Sequence, residues 1–288
     1  MPVLTGPPLV SLRNASAYPY DGAISAARTC YAPRVVGPEE ITASQRESIG
    51  PLTFDAGHHT VWQHAHFEFG LENISRQLVW TFLHSHPFYN SEQSSQRFVR
   101  LDEIKAHVPE GLTPEARGVY NGAIEEAWES YNRLTALLKG DTLRILSDVR
   151  HLTEKASEKR QKKVRREAEK KAIEIARYVI PVAAFTSMVH TLSGIALHRL
   201  HRMLRTGDAP TESRAVVEAM VQRVRNLDAD FFERIGEGPL EEDEIVETRL
   251  PRLSGDGDAE AARLDGLLEG RTSRLVGWME NAEETTAE

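Results

Sequence analysis

The sequence predicts an α+β protein, and three observations support this fold class. Apolar residues recur every three to four positions in several long segments, which is the period of amphipathic helices. One segment alternates instead, because Phe67 and Phe69 stand between polar neighbours as in a half-buried strand. Apolar residues make up 40% of the 288 positions, which is enough for a sizeable core. We therefore expect a mostly helical protein with some β-structure.

The predicted elements of the first half are short. Amphipathic helices are predicted over 20–32 and 38–56, and the second opens at Pro38. The alternating strand is followed by a helix that starts near Ile74. This helix should end before Pro87, because proline has no N–H and disfavours helical backbone at the residue before it.

The second half predicts long helices. The helix over 113–139 has Thr113 as its N-cap, a proline in its first turn, and Gly140 just after its expected end. Further helices are predicted over 154–178, 184–205 and 211–235. The helix over 154–178 interleaves acids with its many basic residues, which favours a solvated helix with i,i+4 ion pairs over a nucleic-acid surface.

Charge and composition bound the class of protein. Residues 237–288 are acidic and poor in apolar residues before Leu275, so we interpret them as a partly flexible extension of a main domain over 1–236. The net charge of −8 argues against non-specific binding to nucleic acid or anionic lipid. No apolar run suits a membrane span, and the N-terminus lacks the pattern of a signal peptide. A single cysteine favours a reducing cytoplasm.

The stretch HSHPFYNSEQSSQR, residues 84–97, is the most unusual in the chain. It contains two histidines and many hydroxyl and amide groups, and it ends in Arg97. Such groups donate hydrogen bonds to phosphate oxygens, and arginine can do so through two parallel bonds. We interpret the stretch as a phosphate-binding loop on irregular backbone, with a solvated polar loop as the alternative.

Two other kinds of chemistry remain open on the residues alone. A metal site could draw on five histidines, namely His58, His64, His66, His84 and His86. Their neighbourhood offers no obvious acidic third ligand, which makes this the weaker hypothesis. Cys30 has no neighbouring histidine or lysine that would lower the pKa of its thiol, so we expect a small buried residue and not a nucleophile.

Several ordered blocks of residues point to a family. They are Ala-Ala-Arg-Thr-Cys-Tyr (26–31), Gly-His-His-Thr-Val-Trp-Gln-His (57–64), Tyr-Asn-Ser-Glu-Gln-Ser-Ser-Gln-Arg-Phe (89–98), Ala-Arg-Tyr-Val-Ile-Pro (176–181), Leu-Arg (204–205) and Glu-Ser-Arg (212–214). In this order, they resemble the motifs of flavin-dependent thymidylate synthases, also called thymidylate synthase complementing proteins. The resemblance covers most of the chain.

The resemblance implies a fold and a reaction. The fold would be a single domain in which a helical bundle packs on a small antiparallel sheet. The reaction would be reductive methylation of dUMP, with methylenetetrahydrofolate as the methylene donor, FAD as the cofactor and NADPH as the reductant of the flavin. The enzyme would be a homotetramer with its sites at subunit interfaces.

The resemblance also implies site residues. Arg205 would be catalytic, because its guanidinium would stabilise negative charge that develops on the pyrimidine. The dUMP-binding residues would be Gln77, Gln93, Ser94, Ser95, Arg97, Arg177 and Arg205. The FAD-binding residues would be His58, Thr60, His84, Ser85, His86, Glu92 and His198.

The chain departs from the family in its signature. The family has Arg-His-Arg where this chain has Leu83-His84-Ser85-His86, and the later Asn-x-Arg reads Ser193-Gly194-Ile195. Histidine carries only part of a charge near neutrality. If His84 or His86 contacts an anionic ligand, binding should tighten as the pH falls from about 8 to about 6. The alternative function is a nucleotide-binding paralogue without flavin chemistry.

Overall fold

A computed structural model describes residues 2–87, 89–153, 155–206, 210–236, 238–245 and 257–275 of the chain. The chain divides into two compact units, Met1–Glu241 and Glu242–Glu288. The first unit contains β1 (Leu9–Ala15), α1 (Pro19–Thr29), α2 (Ala43–Asp55), β2 (His66–Ser75), α3 (Arg76–His84), β3 (Tyr89–Gln93), α4 (Pro114–Val149), α5 (Glu158–Ala176), β4 (Phe185–Ser193), α6 (Gly194–Arg202), α7 (Thr211–Leu227) and α8 (Asp230–Glu233). Short 3-10 helices lie at Pro38–Glu40, His59–His64, Arg177–Val179 and Met203–Arg205.

The four strands form one antiparallel sheet in the order β1-β2-β4-β3, which confirms the predicted α+β class. The alternation on β2 places Phe67, Phe69 and Leu71 on the buried face, each at 0% exposure. These side chains share the main core with α1, the 3-10 helix at His59–His64, and α7. The opposite face of the sheet is the more polar and open one.

The prediction for α4 was right at its start and wrong at its end. Thr113 caps the helix, since its Oγ1 accepts a hydrogen bond from the Ala116 N–H. The helix continues past Gly140 to Val149. The continuation is stabilised by Thr142, which is buried and whose Oγ1 donates to the Ala168 carbonyl of α5 at 3.1 Å. Packing against a neighbouring helix outweighs the cost of one exposed glycine.

The charged helix α5 forms as predicted, but its ion pairs differ from the expected pattern. Lys139 Nζ and Glu169 Oε1 lie 2.6 Å apart, and Arg150 Nη2 and Glu167 Oε1 lie 2.7 Å apart, so these pairs join α5 to the preceding helix and the turn after it. Val164, Ala168, Ala172 and Ala176 form the buried stripe of α5. Small residues on this stripe allow α4 and α5 to pack closely as a helical hairpin.

The helix predicted over 184–205 was wrong in its first half. Residues Phe185–Ser193 form β4, and the helix begins only at Gly194. In β4 the buried positions alternate, with Thr186, Met188 and His190 facing the protein interior. The basic residues after Gly194 recur at helical spacing, but this spacing does not show where the helix begins.

The backbone of the polar stretch 84–97 is more regular than predicted. Residues Tyr89–Gln93 form β3, which pairs antiparallel with β4 at the edge of the sheet. An edge strand with one solvated face needs no apolar alternation, which explains why the sequence did not predict it. Strand β1 was not predicted either, and the segment predicted as one helix over 38–56 is split into a 3-10 turn and α2. Cys30 is exposed, contrary to expectation.

The second unit contains the 3-10 turn Glu242–Glu244 and a further helix, α9 (Gly257–Leu268). Of the apolar segment expected over 275–279, only Leu275 is described, and its side chain is exposed. The other residues of that segment lie outside the described ranges. Within those ranges, no helix combines the length and the apolar character needed to cross a membrane.

Candidate functional site

The junction between β2 and α3 is fixed by a buried carboxylate. Glu212 of α7 accepts two hydrogen bonds from Ser75, one from its N–H at 2.7 Å and one from its Oγ–H at 2.5 Å. The same Oγ accepts from the Leu78 N–H at 2.9 Å and so caps α3. Both Ser75 and Glu212 are buried. The first residues of α3, Arg76 and Gln77, are therefore held in a defined position.

Three arginines gather beside this junction, and we call Arg76, Arg97 and Arg177 the arginine cluster. Burial, followed by the nearby positive charge of Arg177, lowers the pKa of the Arg76 guanidinium. Arg177 has a buried Nη1 without a hydrogen-bond partner in the part of the chain that the structure describes. Arg97 pairs with Glu174, with Nη2 and Oε1 2.5 Å apart. Arginine stays charged at any working pH, so two unneutralised cations lie close together.

Two serines next to the arginine cluster have different roles. Ser94 extends the pairing of β3, since its N–H donates to the Ser187 carbonyl at 2.9 Å, and the two hydroxyls lie 3.0 Å apart. The Ser94 carbonyl accepts from Arg76 Nη1 at 3.3 Å. The Ser95 Oγ instead accepts from the Arg97 N–H at 3.3 Å and closes the turn that carries this arginine. Together they link the end of β3 to two of the three arginines.

A cleft of about 570 Å³ opens beside Arg76. Gln77 and Gln93 line it, so both predicted dUMP-binding amides face the same space. His84 also lines this cleft, although it was predicted to contact the flavin. Its Nδ1 lies 2.6 Å from the Trp80 carbonyl, and its ring lies 4.3 Å from the Trp80 ring. His84 is thus held by its own helix, on the side of the predicted nucleotide residues.

A second cleft, which we call the histidine cleft, has a volume of about 420 Å³. Its lining includes the predicted flavin residues His58, Thr60 and His86 together with Gln63, Ser193 and Arg199. Hydroxyl, amide and guanidinium donors stand there beside the apolar side chains of Ile195 and Ala196. This set of donors fits the carbonyl and ring-nitrogen acceptors and the phosphates of a flavin nucleotide. Arg199 supplies the positive charge, and its Nη2 lies 3.5 Å from His59 Nδ1.

His86 is buried and is turned towards the sheet. Its Nε2 lies 3.0 Å from Nε2 of His190, and its Nδ1 lies 3.3 Å from the Ser85 Oγ. Burial lowers the pKa of His86. Burial and the neighbouring His86 lower the pKa of His190 to about 3. The pair is therefore neutral at pH 7, and His86 does not carry the charge of a signature arginine. The expected tightening between pH 8 and pH 6 then rests on His84 alone.

The other predicted flavin residues do not line the histidine cleft. Glu92 lies on the open face of the sheet, in a groove with Ser94 and Ser187. His198 is 3% exposed and stacks on Phe231, with ring centroids 5.2 Å apart. Its burial lowers the pKa of His198 to about 3, as expected for a neutral core residue. The Ser85 Oγ donates to the carbonyl at the end of α3, 2.8 Å away.

Arg205 lies at the surface, at the end of the 3-10 helix that follows α6. Its Nη1 forms an ion pair with Glu241 Oε1 at 2.6 Å. Arg205 lines neither of the two clefts described above. Among the described residues, no three histidine, cysteine or acidic side chains lie close enough together to hold a metal ion.

Three residues of this region were not predicted. Arg76 directly follows the end of β2, and Arg199 lies in α6, which directly follows β4, so a basic residue could have been noticed at both places. His190 could not be found from the sequence, because its segment was predicted as a helix. Its role emerges only from the pairing of β3 with β4.

Comparisons with known proteins show which family has this fold and these motifs. Residues 15–228 match the model of the thymidylate synthase complementing protein family. The chain belongs to this family.

Individual relatives extend the comparison. The chain is 28% identical over 218 residues to a flavin-dependent thymidylate synthase of Clostridium tetani, covering 74% of this chain and 80% of the relative. It is 26% identical over 221 residues to a flavin-dependent thymidylate synthase of Geobacter sulfurreducens, covering 75% and 81%. Its fold is similar to that of the UMP/dUMP methylase PolB from Streptomyces cacaoi bound with 5-Br dUMP, at a TM-score of 0.59 and 17% identity, covering 82% of this chain and 100% of that structure.

Proposed function

We propose that this chain is a flavin-dependent enzyme that methylates dUMP to dTMP. Methylenetetrahydrofolate would supply the one-carbon unit, and NADPH would supply the reducing equivalents. The observation that carries the proposal is that the partly buried Arg76 lies within the electrostatic influence of Arg177, with no carboxylate paired to either among the described residues. Two adjacent guanidinium groups are costly unless an anion joins them, and a nucleotide phosphate is such an anion.

The arginine cluster would bind the phosphate of dUMP. Arg177 offers a buried donor that is otherwise unused, and Arg97 would exchange or share its contact with Glu174. The hydroxyl of Ser95 lies in the same turn as Arg97 and adds a further donor. Gln77 and Gln93 have both a donor and an acceptor on each amide, so they suit the polar edge of a pyrimidine base.

Arg205 would act on the reacting base. As C5 of the pyrimidine becomes nucleophilic, negative charge spreads over the ring, and a fixed guanidinium would stabilise it. Arg205 is exposed, so we propose that it completes the site of a second copy of the chain within a homotetramer. Exposed apolar side chains near the arginine cluster support this assembly, since Trp80 is 67%, Tyr178 79% and Val182 61% exposed.

The histidine cleft would hold the flavin. Thr60, Gln63 and Ser193 would donate to its polar atoms, and Arg199 would face its phosphates. When bound, the flavin supplies the hydride that reduces the transferred carbon to a methyl group. The chain's own contribution is to exclude water from the cleft and to orient the two ligands.

A second candidate function is a nucleotide-binding paralogue without redox chemistry. It is favoured by the state of the two histidines that stand at the signature, because both have internal partners. His84 Nδ1 lies 2.6 Å from the Trp80 carbonyl, and His86 Nε2 lies 3.0 Å from His190 Nε2. The buried His86 does not offer the positive charge that a family arginine would give, and His84 is held against its own helix.

Purification and cofactor identification test these proposals. We expect yellow protein whose released cofactor has the mass of FAD, and dUMP that gains one methyl group when both co-substrates are present. Colourless protein that binds dUMP and forms no product, even after added FAD, would favour the paralogue. Sedimentation should give a tetramer, and a stable monomer at micromolar concentration would contradict the shared site.

A further inference from the structure

The pair of imidazoles formed by His86 and His190 is enclosed by aromatic rings. Phe82 packs on both, with ring centroids 5.0 Å and 4.9 Å away, and Tyr89 lies 5.2 Å and 5.4 Å away. His190 is 0% exposed, and His86 is 7% exposed. The rings meet edge to face at 84°, with the two Nε2 atoms 3.0 Å apart. One nitrogen must donate a proton and the other must accept it.

The surroundings determine which nitrogen donates. Nδ1 of His190 is buried and has no hydrogen-bond partner among the described residues, and a bare nitrogen there costs less than a buried N–H. His190 therefore carries its proton on Nε2 and donates to His86. The proton of His86 is then on Nδ1, where the Ser85 Oγ lies 3.3 Å away and in turn donates to the Phe82 carbonyl at 2.8 Å. Each proton in this chain of bonds has an acceptor.

The chain of hydrogen bonds connects the two halves of the site. His86 lines the histidine cleft, and three residues later β3 begins and runs to Gln93 in the other cleft. His190 stands opposite Ser91, in the middle of β3, on the neighbouring strand. His86 is thus fastened by one buried hydrogen bond to β4, and Tyr89–Gln93 is fastened to the same strand by backbone pairing.

We propose that His190 is a positioning residue for the nucleotide site: its hydrogen bond to His86 fixes the segment 86–93, so that Gln93 and Ser94 meet the nucleotide. The proposal rests on the proposed dUMP-binding function. It assigns a purpose to the histidine that stands in the altered signature, since His86 serves as an anchor and not as a cation. In this role, His86 keeps its position through its hydrogen bond to His190 of β4.

The test compares His190→Leu with His190→Gln. Leucine removes the donor and is apolar, whereas the Gln amide restores a donor near the former Nε2 position. We expect His190→Leu to weaken dUMP binding roughly tenfold, because the buried Nε2 of His86 loses its donor, and to speed amide exchange in 89–93. The urea midpoint should fall modestly in His190→Leu, because Nε2 of His86 is left buried without its donor. His190→Gln should restore both the affinity and the protection.

A double variant decides whether His190 acts through His86. In a His86→Leu background, His190→Leu should change dUMP affinity less than twofold. A full tenfold loss in that background, or native affinity and native exchange in His190→Leu, would overturn the proposal. The nitrogen-15 chemical shifts of the two imidazole rings test the hydrogen-bond arrangement without a ligand. The proposal requires the protons to be on Nε2 of His190 and on Nδ1 of His86. If the native chain binds no dUMP, the proposed function is wrong. The amide exchange of 89–93 and the nitrogen-15 shifts of the two rings still test whether His190 holds His86 in place.

Discussion

The histidine cleft includes His86, which precedes β3, and the arginine cluster lies near the other end of that strand. The two regions differ in the charge of their side chains. Arg76 and Arg177 carry permanent charges that no carboxylate neutralises within the described residues. The signature histidine of the other side, His86, is buried and neutral. The proposed nucleotide side includes Arg97 and Arg177 from the blocks that resemble the family, whereas the signature Leu83-His84-Ser85-His86 contains no arginine.

This difference shows which part of the chemistry tolerates change. A phosphate is held best by fixed cations at fixed places, so substitution of one of them should weaken binding markedly. A flavin offers ring atoms, carbonyls and phosphates, and these can be held by hydroxyls, amides and a single arginine such as Arg199. The lost signature charges are replaced by an internal anchor, in which His86 is held by His190.

The largest effect is expected outside both regions, at Arg205. We expect Arg205→Ala to lower the rate of methyl transfer by roughly two to three orders of magnitude, because one preorganised donor at a developing anion is worth about 3 kcal/mol. Affinity for dUMP should change much less, and Arg205→Lys should recover part of the rate. Steady-state kinetics and titration on the same samples separate the two. Near-native turnover by Arg205→Ala would remove this residue from the site.

The next largest effect tests the arginine cluster itself. Arg177→Gln should weaken dUMP binding by roughly ten- to a hundredfold, because a charge-assisted bond to a phosphate contributes about 1.5 to 3 kcal/mol. Deoxyuridine, which lacks the phosphate, should bind native and variant chains equally. Calorimetric titration of both ligands measures this. An equal loss for deoxyuridine would mean that Arg177 supports the fold and not the phosphate.

The neutrality of the histidine side predicts acid sensitivity. The pKa of His190 is about 3 in the folded chain and near 6.5 when unfolded, so below pH 6.5 the unfolded state takes up a proton that the folded state does not. His190 should therefore lower the free energy of unfolding by about 1.4 kcal/mol for each pH unit as the pH falls from 6.5 to about 3.

Urea unfolding of native chain and His190→Leu from pH 7.5 to pH 5 measures this slope. The variant should lose stability more slowly as the pH falls, and the exposed control His64→Gln should behave as the native chain. Identical slopes for native and His190→Leu would show that His190 is charged or exposed in the folded state.

The smallest effect concerns the junction that supports both regions. Glu212→Gln should lower the free energy of unfolding by about 1.5 kcal/mol. The amide nitrogen of glutamine cannot accept a hydrogen bond, so one of the two buried donors of Ser75 loses its acceptor. Glu218→Gln, on the exposed face of the same helix, is the matched control. Urea midpoints compare the two. No difference between them would mean that Ser75 finds another partner.

The sequence predicted the helices with strong periods and caps, and it predicted the strand that carries Phe67 and Phe69. It could not predict β3, because an edge strand with a solvated face has no apolar pattern. Gln77 and Gln93 come from different parts of the sequence and line one cleft, whereas Arg205 lines neither cleft. The partner of His86 could not be foreseen, since the pairing with His190 spans 104 positions and depends on strand register.

The central claim is that permanent charge on the nucleotide side recognises a phosphate. The most direct measurement is the affinity of the native chain for dUMP and for deoxyuridine under the same buffer and salt. The account predicts that dUMP binds at least roughly a hundredfold more tightly, because two unneutralised guanidinium groups await the phosphate. Equal affinity for the two ligands, or no binding of either, would contradict it.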